Sequence, residues 1–86
     1  MRRYKISFKK SAAKELESIP NPALQRIIKK IGNLANDPCP KDSRKLTNYD
    51  LFRIRQGDYR IIYVIDNKRF EIEIYKIGHR KDIYKF

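Results

Sequence analysis

Residues 51–84, LFRIRQGDYRIIYVIDNKRFEIEIYKIGHRKDIY, hold three consecutive strand-like runs, and their reading settles the fold. Residues 51–55 end at Gln56-Gly57-Asp58, residues 59–65 run to a second turn at Asp66-Asn67-Lys68, and residues 69–77 stop at Gly78. β-Branched and aromatic runs joined by Gly, Asp and Asn turns predict an antiparallel meander. The side-chain period of two then sorts each run by face. Phe52 and Ile54 fall opposite Arg53 and Arg55. Tyr59, Ile61, Tyr63 and Ile65 fall opposite Arg60, Ile62 and Val64. With Phe52, Ile54 and the Tyr59 set turned to the core, Arg53, Arg55 and Arg60 emerge together on the other face.

Residues 4–8 (YKISF) alternate apolar and polar and predict a first strand, whose neighbours Arg2 and Arg3, with Lys5, suit a sheet edge. From residue 9 to 19 the pattern becomes helical, with Ala12, Ala13, Leu16 and Ile19 on a narrow stripe that Pro20 ends. Asn21-Pro22 predicts a second helix start, Asn as cap and Pro at the first helical position. To about residue 36, Ala23, Leu24, Ile27, Ile28, Ile31, Leu34 and Ala35 follow the i, i+3, i+4, i+7 rule. Asp37-Pro38-Cys39-Pro40 closes the helical part, and residues 41–50 read as a polar connection containing Lys45.

Two helical stripes and a sheet with one apolar face bury each other most economically as two layers. The expected fold is α+β in the order β-α-α-β-β-β: a helical hairpin packed on a mainly antiparallel four-stranded sheet, residues 1–86 forming one domain. Because a helix follows the first strand directly, that strand can pair with a later one. Leu24, Ile28 and Ile31 are expected to pack against Phe52, Ile54, Ile61 and Tyr63.

The chain has 86 residues, 41% of them hydrophobic, which supports one modest core. Its 21 Lys and Arg against ten acids give a net charge of +11. So large a charge on so small a domain implies a polyanionic partner, nucleic acid first. Cys39 and His79 are the single residues of their types, so no internal disulfide and no Cys/His zinc site is expected, and no cofactor. The absence of an apolar run of signal-peptide or transmembrane length points to a cytoplasmic chain without a membrane partner.

Arginines on an open sheet face are often no more than a solvated surface. Their planar, permanently charged forks also grip phosphate with two parallel hydrogen bonds. Gly78-His79-Arg80 and Tyr84 follow the last strand and add an imidazole and a phenol, able to move a proton and stack a base. RNA is cleaved without metal when its 2′-hydroxyl attacks the adjacent phosphorus. Such a site needs a base for that hydroxyl, positive charge for the phosphorane and an acid for the leaving 5′-oxygen. Arginine meets the second need by electrostatic stabilisation and is a poor base, its pKa lying above about 12. His79 is the side chain poised nearest neutrality; Lys45 and Tyr84 would require large shifts.

The element order, the segment LFRIRQGDYRIIY and the ending IGHRKDIY resemble the RelE family of bacterial and archaeal toxins, within the RelE/ParE superfamily. The resemblance implies a toxin of a type II toxin–antitoxin pair that enters the A site of a 70S-type ribosome, beside the 16S rRNA, and cuts mRNA there without metal. It implies that Arg60 contacts the scissile phosphate, that Arg80 joins it, and that Tyr84 stacks on a codon base. Arg53 and Arg55 stand where familiar members have lysines, one of them a proposed general base. That departure leaves His79 as base, or a mechanism resting on orientation and charge, with Arg53, Arg55 and Lys45 as RNA-binding residues. An acidic antitoxin is the implied partner, and operator DNA is met only through it. ParE-type toxins share the fold and inhibit DNA gyrase, so that activity is the alternative.

Overall fold

The computed structural model describes residues 3–46 and 51–79. The elements are β1 (Lys5–Phe8), α1 (Lys10–Glu17), α2 (Ala23–Asn33), β2 (Arg44–Lys45), β3 (Phe52–Gln56), β4 (Tyr59–Asp66) and β5 (Glu71–His79). They form one sheet in the order β1-β5-β4-β3-β2. The meander β3-β4-β5 is antiparallel, and β1 adds to β5 in parallel, as a strand followed directly by a helix can. The expected α+β fold holds, with a fifth strand.

That fifth strand is β2, inside the stretch read as a polar connection. Arg44 pairs with Arg53 and Lys45 with Phe52, and Leu46 N–H donates to Leu51 O at 2.8 Å. An Arg-Lys dipeptide has no apolar alternation to announce a strand. Its extended state comes from pairing with β3, a tertiary effect.

Between β3 and β4, Gly57 takes φ 61° at the first central position of a two-residue hairpin, where turns of the primed type need a positive value. After β4, the Asp66 carboxylate accepts the backbone N–H groups of Lys68 and Arg69, both at 3.0 Å, and so folds the second turn on itself.

The helices lie on the face carrying Ile54, Ile61, Tyr63, Ile72, Ile74 and Ile77, all buried together with Ala12, Ile19, Ile27, Ile31 and Leu34. Tyr63 is fully buried and donates its hydroxyl to Pro38 O at 2.7 Å. Burial is the main cause that pushes its phenol well above the ordinary range; the neighbouring Cys39 adds to it.

Two expectations about α2 change. Its start carries no side-chain cap: Pro22, not Asn21, occupies the cap position, and the Asn21–Pro22 bond is cis. Ile28 is 46% exposed, while Ile27 and Ile31 are buried. The seven-residue apolar stripe is wider than the sheet can cover. The helix seats on its Ile27-Ile31-Leu34 line and leaves Ile28, about 100° round from Ile27, at the rim.

This gives a contrast in stability. Ile61→Ala should cost about 2–5 kcal/mol, whereas Ile28→Ala should stay within about 0.5 kcal/mol of wild type. Chemical denaturation of the two variants measures both, and equal losses would mean the helix seats differently.

The open face is not wholly polar either. Leu51 and Ile62 are buried there, with Leu46, Val64 and Tyr75 packed against them. One apolar face was expected; the alternation that put Ile62 and Val64 beside Arg60 makes a second, smaller cluster.

Candidate nucleic-acid interface

Strand register assembles the cations. Arg44 lies directly opposite Arg53, and Arg55 directly opposite Arg60. Arg53 and Arg55 are two apart on β3, hence on one face. Four guanidinium groups therefore form a continuous strip across β2, β3 and β4, on the face away from the helices. Arg53, Arg55 and Arg60 were expected to converge; Arg44 was not, because the two-residue β2 has no sequence pattern to place it.

Opposed like charges cost stability. Two unit charges 4 Å apart near a protein surface repel by about 4 kcal/mol, which the long stems reduce by splaying. Arg44 and Arg55 are exposed, so these two can spread into water, while Arg53 is half-buried. Arg60 is only 7% exposed, an uncommon state for a charged residue. Its β5 neighbour is Gly78, which brings no side chain against it. At this end of the strip a fixed, largely desolvated guanidinium acts at higher strength than in water.

The same register separates two residues from the strip. Lys45 pairs with Phe52 and so shares its face. With Tyr4, Asp37, Pro38, Cys39 and Phe52 it lines a groove of about 750 Å³ on the helical side. His79 pairs with Tyr59, its ring 5.8 Å from the tyrosine ring in an edge-on contact. It lines a cleft of about 270 Å³ with Glu15, Ser18, Ile19 and Ile77, also on the helical side. Because Gly78 stands opposite Arg60, the next residue must turn to the other face. Arg80 and Tyr84 lie outside the described residues.

The set on the open face can hold an anion and stabilise growing negative charge. Among the described residues no cluster of three or more His, Cys, Asp or Glu is placed to hold a metal ion. No described helix is long and apolar enough to cross a membrane.

Residues 6–84 match the family model for the ParE toxin of type II toxin–antitoxin systems. Toxin RelG of Mycobacterium tuberculosis is 29% identical over 86 residues, covering 95% of this chain and 97% of its own. Toxin RelE of the same organism is 29% identical over 85 residues, covering 95% and 87%. Among solved structures, the archaeal RelE–RelB complex of Pyrococcus horikoshii is similar, with a TM-score of 0.83 and 32% identity, covering 93% of this chain and 98% of that one. The family model spans nearly the whole chain: the chain belongs to the ParE toxin family of type II toxin–antitoxin systems, within the RelE/ParE superfamily.

Proposed function

We propose that the protein is a ribosome-dependent endoribonuclease, the toxin of its pair, which stops translation by cutting mRNA in the ribosomal A site. The observation that carries this reading is the strip of four arginines ending at the buried Arg60. In the reaction the 2′-oxygen forms a bond to phosphorus as the bond to the 5′-oxygen breaks, leaving a 2′,3′-cyclic phosphate and a 5′-hydroxyl. The 2′-hydroxyl proton leaves and the 5′-oxygen gains one. Arg60, with Arg80, neutralises the phosphorane; Arg53, Arg55 and Arg44 draw the RNA backbone along the sheet. Tyr84 stacks on a base of the codon. Since arginine does not serve as a base and His79 lies across the sheet from Arg60, the rate rests mainly on charge and on holding the 2′-oxygen in line.

Primer extension on mRNA from a translation extract given this protein tests the reading. New 5′ ends within translated codons are expected. The family model bears the ParE name, which favours gyrase inhibition as the second reading. Intact mRNA together with gyrase-linked DNA breaks would establish that one instead.

An acidic antitoxin fits a chain of net charge +11, and the similar archaeal structure is a complex of RelE with RelB. Co-expression with the acidic product of a neighbouring gene should restore growth and yield a co-purifying complex. Its rim contacts should weaken as salt rises. An acidic neighbour that neither binds nor rescues would remove the toxin–antitoxin assignment.

A further inference from the structure

β1 stops short of β5. Phe8 pairs with Ile74, and the last rung is Lys9 N–H donating to Ile74 O at 2.9 Å. β5 runs on to His79, and among the described residues no strand covers its outer edge there. Within this stretch the ladder to β4 slips: Tyr63 pairs with Ile74 but Ile62 with Lys76, so Tyr75 is an extra residue, a β-bulge. The slip reverses the side to which later peptide groups point, and Ile77 N–H faces the uncovered edge. An amide in that position must find a partner or lose a hydrogen bond.

Glu15 supplies one. Its Oε1 accepts Ile77 N–H at 3.2 Å, and its Oε2 accepts Lys76 Nζ at 3.0 Å. From the other face, Lys9 Nζ sits 4.1 Å over the Tyr75 ring. The last turn of α1, through Glu15, and its cap residue Lys9 therefore grip three successive residues of β5, at the point where β1 no longer holds the strand.

We propose that Glu15 is a positioning residue for RNA cleavage. By clamping the bulge it fixes where Gly78 stands against Arg60 and how β5 runs to its end at His79. This rests on the nuclease reading. A bulge adds local twist, so a loosened one swings the residues beyond it, and a misplacement of about 1 Å costs up to 10²-fold in rate.

Three variants give a pattern that charge alone does not. Glu15→Gln keeps the acceptor and its reach. Glu15→Asp keeps the charge and loses the reach, and Glu15→Ala loses both. Single-turnover cleavage on saturating programmed ribosomes should stay near wild type in Glu15→Gln. It should fall about tenfold or more in Glu15→Asp and Glu15→Ala, with ribosome affinity unchanged in all three. Amide exchange should show Ile77 protected in wild type and in Glu15→Gln and open in the other two. Equal rates in all four proteins overturn the inference. So does a fall in Glu15→Gln that Glu15→Asp escapes, which would make the role one of charge. If Glu15→Ala does not fold, the Gln/Asp pair decides alone. Wild-type protein that leaves mRNA intact sinks the nuclease reading and the catalytic half of this inference. An Ile77 amide still protected in folded Glu15→Asp sinks the clamp by itself.

Discussion

Arg60→Ala should cut mRNA on the ribosome about 10²-fold or more slowly than wild type, the loss seen when a transition-state donor is removed. The expectation follows from where the residue sits. It is central in the sheet on β4, 7% exposed, with Arg55 directly opposite on one side and Gly78 on the other. A guanidinium in that place cannot relax far from an incoming phosphate, and its field is less screened than that of an exposed arginine. The phosphorane carries more charge on its equatorial oxygens than the ground state does, so the loss should appear in the cleavage step more than in ribosome binding. Folding should survive. Arg60 lies outside the apolar clusters, and its removal relieves the repulsion with Arg55. Arg80→Ala should fall by a similar factor. His79→Gln is the informative control: from the helical face it should show none of the roughly 10²-fold or greater loss that removing a general base brings. Arg60→Ala protein that folds and cuts at the wild-type rate would show that the strip is not the active surface.

Much of this site could be read from alternation alone. The two hairpin turns set the phase of β3 and β4, so Arg53, Arg55 and Arg60 came out on one face without any knowledge of pairing. What alternation could not supply was register. Arg44 joins the strip only because β2 pairs with β3, and two polar residues carry no period to count. The bulge at Tyr75 is equally silent in the sequence, and it decides that Gly78, not Ile77, faces Arg60. In the core, the apolar stripe of α2 was legible while its seating was not: seven apolar positions span more of the helix than one sheet face covers, so Ile28 stayed outside. Nothing in the sequence pattern marks Glu15 out from the other carboxylates. Its task appears only once β1 is seen to end before β5 does.

The strip should also make the protein less stable than its sequence need be, and removing it should separate stability from function. Replacing Arg44, Arg53 and Arg55 together with Gln leaves Arg60 in place and abolishes both opposed pairs, Arg44 with Arg53 and Arg55 with Arg60. Each like-charge pair across strands costs up to about 1 kcal/mol. A total relief of about 1 kcal/mol raises the melting temperature of a domain this size by about 4–8 °C. The same change deletes three phosphate contacts. For single-stranded RNA each contact contributes about 0.7 to the slope of log affinity against log salt, so the slope should shrink by about 2. At 0.15 M salt that corresponds to an affinity for programmed ribosomes about 50-fold weaker. The two measurements pull apart only if the arginines are held together for an anion. A solvated surface with no ligand would gain stability and leave ribosome binding where it was. A strip that served the fold would lose stability, and either result would take the RNA backbone off this face of the sheet.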